Sequence, residues 1–275
     1  MIKAVGFDLD GTFLSTRVDY PKLRTEDLRV MERHGIPCRE IFGDSPGPRL
    51  RRTLYEWMKQ NGRGDEFRSL NEEIDRALTE IETEFVDSAV PFPGSAEAPG
   101  ILHSMGLKTG LLTRGSRRYA VRALTVTGTA DGFDVVMGRD HTCFDDAKPS
   151  PRAIADFSAL LGVRPDELLY IGDNITDYRA AHDAGAAFAG VLTGNGSEEL
   201  WRNTDESIII LKNAGDCVKL FRNRGRSRKD DPGCCRRDRC TLPTEERRSP
   251  DSSPDSACPR GRWSNSSRTR KRCDR

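Results

Sequence analysis

The period of apolar and polar positions changes along the chain, and the changes divide it. Ala4-Val5-Gly6-Phe7 is a short apolar run that reads as a buried strand, and it ends in Asp8-Leu9-Asp10-Gly11-Thr12. From residue 14 to about 89 the period becomes helical. Residues 21–31 make a short helix ended near Gly35, and Leu50, Leu54, Trp57, Met58 and Asn61 recur at helical spacing up to Gly62. Phe67, Leu70, Ile74, Leu78, Ile81 and Phe85 form a long 3-and-4 stripe with charges on the opposite face. No strand signal interrupts these helices.

After a Pro91-Phe92-Pro93-Gly94 loop, Ser95 is placed to cap a helix running to Met105, with Pro99 tolerable near its first turn. Strands and helices then alternate. Strands are predicted over 107–113, 134–137, 168–171, 187–192 and 207–211, and helices over 116–127, 150–161, 176–184 and 214–221. Ser150-Pro151 is a good helix start, and Gly128, Gly162 and Gly185 are good stops. The alternation implies an α/β fold, a doubly wound parallel sheet. The helical insert reads as a cap, giving a core of residues 1–14 and 90–221 with a cap over 15–89.

Composition changes the picture only at the end of the chain. The formal net charge of +1 averages two unlike parts. Residues 222–275 hold 17 Lys+Arg against 8 Asp+Glu, leaving 27 against 35 for residues 1–221. That basic segment has 8 apolar or cysteine residues in 54, and five of the 8 are Cys. It has too little apolar side chain to offset its ordering entropy, so it is expected to be a disordered Arg/Cys-rich tail. The abrupt loss of periodicity after Phe221 would also fit a frame-shifted or read-through segment. The tail has no C-x-x-C pair and no His, which argues against zinc, and only Trp263 offers a stacking ring. Nucleic acid is therefore not an expected partner beyond nonspecific contact. No apolar run approaches a membrane span, and no targeting segment is visible before the first strand. Cys38, Cys143 and Cys217 show no pairing pattern, so a cytoplasmic protein is expected, as a monomer or homodimer.

Ligands of open α/β sheets bind beyond the carboxyl ends of the strands, so polar residues there are informative. Asp8 and Asp10, spaced i, i+2, project the same way from the first strand. Alone they fit a metal site, an acid/base site, or a plain strand and Asp-Gly turn. The next strand ends in Thr113, followed by Arg114-Gly115-Ser116 at a helix start, where N–H groups suit an anion. Lys148 is presented by Ala147-Lys148-Pro149. The 168–171 strand leads into Gly172-Asp173-Asn174-Ile175-Thr176-Asp177, with carboxylates at i, i+4. Acids that hold Mg²⁺, with a Lys and a Thr, make a phosphoryl-transfer site.

These four segments, in this order, resemble the motifs of the haloacid dehalogenase-like hydrolases over residues 1–221. Pro93-Gly94, Lys148-Pro149 and Asp183-Ala184-Gly185-Ala186 are most similar to the phosphoglycolate phosphatase-like branch, and residues 14–89 sit where that family inserts its helical C1 cap. The resemblance implies an Mg²⁺-dependent phosphatase acting on a small phosphorylated metabolite. It implies Asp8 as nucleophile and Asp10 as the acid and base. Asp8, the Asp10 backbone carbonyl, Asp173 and Asp177 would hold the metal. Thr113, the Arg114 backbone and Lys148 would bind the phosphoryl oxygens. The Asp at position +2 argues against the dehalogenase branch, which needs no leaving-group acid. Relatives often carry Asn where this chain has Arg114, whose side chain would reach substrate or solvent. A phosphomutase of the β-phosphoglucomutase type uses the same motifs and is the alternative, ahead of a non-catalytic binding module. Two weaker features remain. The loop Gly43-Asp44-Ser45-Pro46-Gly47-Pro48 with Arg49, Arg51 and Arg52 could face the site and read an anionic substrate. His34, His103, His141 and His182 show no ligand spacing.

Overall fold

In a computed structural model, residues 1–43, 50–141 and 146–222 are described. The tail beyond residue 222, Cys143 and loop residues 44–49 lie outside them. The chain opens with β1 (Ala4–Phe7) and β2 (Leu14–Ser15), then passes into α1 (Tyr20–Arg33), α2 (Cys38–Phe42), α3 (Leu50–Gln60) and α4 (Phe67–Thr83). It returns through β3 (Val90–Pro91) to α5 (Ala98–Ser104), β4 (Lys108–Leu112), α6 (Arg117–Val126), β5 (Val135–Met137) and α7 (Pro151–Leu161). It finishes with β6 (Leu168–Gly172), α8 (Ile175–Asp183), β7 (Ala187–Val191), α9 (Glu198–Thr204), β8 (Ile209–Leu211) and a 3₁₀ segment, Ala214–Leu220.

Six strands form one parallel sheet in the order β5-β4-β1-β6-β7-β8. β1 therefore lies in the middle, between β4 and β6, and its end faces the ends of both neighbours. Each face of the sheet buries its own apolar layer. On one side Phe7, Leu9, Leu111, Leu124 and Ile171 pack with α5, α6 and the last 3₁₀ segment. On the other, Phe157 of α7 packs with Leu112, Ile154 and Tyr170. Phe157 is fully buried, and truncating such a ring to Ala costs about 3–5 kcal/mol. Helices α1 to α4 have a separate apolar cluster of Val30, Met31, Leu54, Met58, Phe67, Leu70, Ile74 and Leu78, which contains most of the predicted stripes. The helical layer and the sheet belong to one compact unit.

Four details differ from the sequence expectation. An antiparallel ribbon of β2 and β3 joins the two ends of the helical insert, where a loop was expected at Pro91. Two residues per strand leave too short a run to show a period. Ser95 does not cap α5, which starts three residues later; its hydroxyl is buried and has no hydrogen-bond partner among the described residues. Helix α9 was missed, although Ser197 caps it and Glu198 and Glu199 occupy its first turn. The final helix is 3₁₀.

Candidate active site

The site grows from the way β1 ends. The Asp8 N–H still pairs with the Ile171 carbonyl at 2.9 Å, so its side chain leaves the sheet at its carboxyl edge. Leu9 is fully buried, and its carbonyl accepts from both Phe13 and Leu14, which closes a tight turn. Gly11 sits in that turn at φ +79°, and a Cβ there would lie 2.6 Å from Asp173 Oδ2. Only glycine satisfies both constraints. The Thr12 hydroxyl donates to Asp173 Oδ1 at 3.3 Å.

Asp8 and Asp10 meet different surroundings. Asp8 Oδ1 accepts from Lys148 Nζ at 2.6 Å. The same ammonium donates to Asp177 Oδ1 at 2.7 Å, to the Tyr170 hydroxyl at 2.9 Å and to the Leu112 carbonyl at 3.1 Å. Tyr170 in turn donates to that carbonyl at 2.8 Å, so its oxygen is left to accept from the lysine. Burial works against the charge of Lys148, but Asp177 and Asp8 outweigh it and keep the amine protonated. Asp10 Oδ1 instead accepts from the Tyr119 hydroxyl at 2.6 Å and from Thr16 Oγ1 at 2.7 Å. Burial pushes the Asp10 carboxyl above its ordinary range despite those two donors.

The remaining acids come from the β6 end. Asn174 and Asp177 cap α8 reciprocally: Asn174 accepts from Thr176 N–H, and Asp177 Oδ2 accepts from Asn174 N–H at 3.1 Å. Gly172 is required beneath them, since a Cβ there would lie 2.4 Å from the Asp177 Cβ. Asp173 Oδ2 accepts from the Asn195 backbone at 2.7 Å and its side-chain amide at 3.1 Å. Asp8, Asp173 and Asp177 are all buried and present oxygens within 4.8 Å of one another. Burial raises Asp8 well above the usual range; Lys148 pulls it down, and Asp177, Asp173 and Asp10 push it up again. Burial raises Asp173 too, against the pull of the Asn195 N–H and with the push of Asp177. Carboxylates so crowded, with one ammonium among them, fit a divalent cation with oxygen ligands.

On the β4 side, Thr113 is buried and its Oγ1 accepts from Gly115 N–H at 3.0 Å. Arg114 is exposed. The helix start that seemed free for an anion is partly occupied by the protein itself: Ser116 N–H donates to Glu82 Oε2 at 3.1 Å and Arg117 N–H to Asp140 Oδ1 at 2.7 Å. The N–H groups of Ser116 and Arg117 thus serve the chain's own carboxylates.

The structure therefore brings together Asp8, Asp10, Lys148, Asp173 and Asp177, and sets Thr113 at the end of the neighbouring strand. It does not place Arg51 as expected. That guanidinium is tied inside the helical layer, to Asp27 at 2.9 Å and Asn71 at 2.5 Å. An arginine among buried acids satisfies them before it can reach a ligand. Arg49 lies outside the described residues. His34, His103 and His182 pair with Glu73, Asp134 and Asp183, none of them a site residue. The sequence reading missed Thr16, Tyr119, Tyr170, Asn195 and Glu82. It also missed Tyr20, whose hydroxyl lies within electrostatic reach of Asp10, Asp8, Asp173 and Arg114. None of these carried a signal in the local sequence pattern.

Among the described residues, no helix is long and apolar enough to cross a membrane. The model of the haloacid dehalogenase-like hydrolase family matches residues 2–185. The phosphoglycolate phosphatase of Chromobacterium violaceum is 28% identical over 200 residues, covering 70% of this chain and 86% of that protein. The N-acetylmuramic acid 6-phosphate phosphatase of Pseudomonas aeruginosa is 27% identical over 202 residues, covering 70% and 83%. Among solved structures, a hydrolase from Pseudomonas syringae aligns with a TM-score of 0.54 at 20% identity, over 81% of this chain and 99% of that one. CbbY from Rhodobacter sphaeroides, in complex with phosphate, aligns with a TM-score of 0.51 at 19% identity, over 78% and 96%. The chain belongs to the haloacid dehalogenase-like hydrolases, and within them it is a phosphatase-type enzyme similar to the phosphoglycolate phosphatases.

Proposed function

We propose that this enzyme is an Mg²⁺-dependent phosphatase that hydrolyses a small phosphorylated metabolite, phosphoglycolate or a similar phosphomonoester, through an aspartyl-phosphate on Asp8. The observation that carries the reading is the 2.6 Å pairing of Asp8 with Lys148 inside a set of further buried acids. Phosphoglycolate and N-acetylmuramic acid 6-phosphate, the substrates named for two relatives, are both small phosphomonoesters that carry a carboxylate.

Asp8, Asp173 and Asp177, with the Asp10 backbone carbonyl, would hold the metal. Bound there, Mg²⁺ offsets the negative charge of the carboxylates and of the incoming phosphoryl oxygens. Lys148 fixes one oxygen of Asp8, so the carboxylate has one orientation. A bond forms from Asp8 to phosphorus while the bond from phosphorus to the leaving oxygen breaks. Asp10 gives that oxygen its proton. Burial raises the Asp10 carboxyl, the direction that favours its proton-donating form. Water then attacks phosphorus, Asp10 takes its proton, and inorganic phosphate leaves with Asp8 restored. Thr113 and the Arg114 backbone bind the phosphoryl oxygens. Residues 15–89 act as the cap over a core of 1–14 and 90–221, and the β2–β3 ribbon is its hinge. Arg114, exposed beside Thr113, would meet the leaving group. The enzyme works in the cytoplasm, as a monomer or homodimer.

The test is a screen of phosphorylated metabolites, read as released inorganic phosphate. Release from small phosphomonoesters with Mg²⁺ and without a bisphosphate activator is the expected result. Intramolecular transfer that requires a bisphosphate would show a mutase and overturn the reading.

A further inference from the structure

One buried carboxylate takes no part in the chemistry just described, yet it reaches the loop that carries Thr113. Glu82 lies at the end of α4, in the helical layer, and is almost fully buried. Its Oε2 accepts from the Ser116 N–H at 3.1 Å, and its Oε1 is paired with the Arg139 guanidinium. The Arg139 backbone N–H donates to the Gly115 carbonyl at 2.9 Å. The N–H and the carbonyl of a single peptide unit, Gly115–Ser116, are thus held from opposite ends. The circuit runs from the Arg139 backbone through that peptide to Glu82 and back to the Arg139 side chain.

The rest of the junction shows why such a hold matters. Gly115 has no Cβ to restrict its dihedrals, so the following peptide plane can turn at little cost unless something fixes it. The Gly115 N–H, on the preceding peptide, bonds Thr113 Oγ1, so a shift of the Gly115 backbone that follows release of the Gly115–Ser116 peptide reaches the Thr113 hydroxyl as well. The loop after β5 supports the junction from below. A Cβ on Gly138 would lie 2.2 Å from the Arg117 nitrogen, and Asp140 accepts from that same nitrogen at 2.7 Å. Arg139 is itself anchored, since Asp75 of α4 accepts from its Nε at 3.2 Å. Burial works against the Arg139 charge, but Glu82 and Asp75 outweigh it.

We infer that Glu82 is a positioning residue: from the helical layer it fixes the Gly115–Ser116 peptide, and through it the Thr113 hydroxyl and Arg114 N–H that receive the phosphoryl group. This rests on the proposed role of Thr113 and Arg114. A displacement of α4 against the sheet then changes phosphate binding directly, without contact between α4 and the phosphoryl group.

Two substitutions separate the positioning role from simple charge balance. Glu82→Gln removes the charge but keeps an oxygen at full reach for Ser116. Glu82→Asp keeps the charge but withdraws the oxygen by about 1.5 Å, one carbon–carbon bond. The readouts are inhibition of aryl phosphate hydrolysis by inorganic phosphate, kcat and KM separately, and melting temperature. Glu82→Asp should weaken phosphate inhibition and lower kcat/KM by about tenfold, the size of one lost hydrogen bond to a charged group. Glu82→Gln should change either by less than about threefold, since its acceptor remains in place. The reverse order would show that the Arg139 charge balance is what matters, and would overturn the inference. So would unchanged constants in both variants. A fall in melting temperature alone, with phosphate inhibition intact, would show a structural role only and would also overturn it. Asp8→Asn is measured alongside. If it retains activity, the proposed chemistry itself is wrong; if it is inactive while Glu82→Asp behaves as wild type, only the present inference fails.

Discussion

Two clusters of charge lie in this protein, one buried and one half-buried, and they are built to opposite rules. At the carboxyl ends of the strands, Asp8, Asp10, Asp173 and Asp177 surround one ammonium, Lys148. Where α4 meets the loop after β5, Asp27, Asp75 and Glu82 face two guanidiniums, Arg51 and Arg139. Among the described residues the second cluster is close to neutral, and the Ser116 N–H takes up part of its remaining charge. The first has four acids to one base. Buried like charges are tolerated only with a proton or a cation among them, and burial does hold Asp8, Asp10 and Asp173 above the usual carboxylate range. The imbalance is therefore the mark of a working site. The near-balanced cluster is the mark of a joint. Counting partners, rather than counting buried acids, distinguishes them.

The sharpest way to break this contrast is Asp8→Asn. It keeps the side-chain shape and one oxygen for Lys148, yet removes the proposed nucleophile. Phosphate release should fall by about 10⁴-fold or more, as for other residues that form the covalent intermediate. The metal-free variant should also melt higher than the metal-free wild type, because the cluster loses one surplus charge. Full hydrolysis of an aryl phosphate by this variant would refute both the mechanism and the contrast. Asp10→Asn comes next. Its amide oxygen still accepts from Tyr119 and Thr16, so the geometry survives while the proposed proton carrier is lost. A fall in kcat of about 10³-fold is expected, within the usual range for general acid–base groups. A loss confined to KM would show that Asp10 binds substrate rather than moving a proton.

How far the sequence reveals each cluster follows from how each is assembled. Every acid of the first lies at a strand end, beside a glycine whose place the backbone demands: Asp8 and Asp10 before Gly11, Asp173 and Asp177 after Gly172. Strand periodicity and the topological rule for parallel sheets lead to those residues without coordinates. The parallel sheet, four of its connecting helices and the apolar stripes of the helical layer are legible for the same reason. The second cluster has no such rule behind it. Glu82 reads as a charge on the polar face of α4 and Arg139 as a loop residue. Their meeting depends on how α4 packs over the sheet, which no local pattern encodes. Arg51 misled for that reason: a basic residue beside a glycine-proline loop looks like an anion reader until Asp27 and Asn71 are placed around it. Tyr119 and Tyr170 were hidden differently, because each belongs to an apolar face and only its hydroxyl reaches the site.

Metal binding supplies a third, smaller effect that sharpens the comparison. Mg²⁺ at about a hundred times its dissociation constant should stabilise the protein by about 2.7 kcal/mol, visible as a rise in melting temperature that chelation reverses. Asp173→Asn should abolish most of that rise, since it removes a proposed ligand from the unbalanced cluster. Arg139→Lys, in the other cluster, should leave the rise intact even if it lowers the baseline. A lost metal response in the Arg139 variant would mean that the two clusters are one electrostatic unit.

The smallest effect tests whether the second cluster is as close to balance as the count suggests. Burial raises the Asp27 carboxyl; Arg51 and then Arg139 pull it down without cancelling the shift. A folded-state value above the unfolded one means that the folded protein prefers the protonated acid. The stability gained from that preference is complete below the unfolded value, near about 4, and is lost as pH rises through the folded one. At neutral pH, charged Asp27 should therefore be slightly worse than its neutral isostere. Asp27→Asn, which keeps an oxygen for Arg51, should raise the melting temperature by about 1–3 °C at pH 7 in a chain of this size. The gain should shrink as pH falls through the raised value and disappear below the ordinary carboxylate range. Thermal melts of both proteins from pH 4 to 8 measure it. A variant that melts lower at pH 7, with the deficit closing toward acid, would mean that the Asp27 charge is a net gain through Arg51. The second cluster would then need its full negative charge, and its arginines, not its acids, would be in surplus.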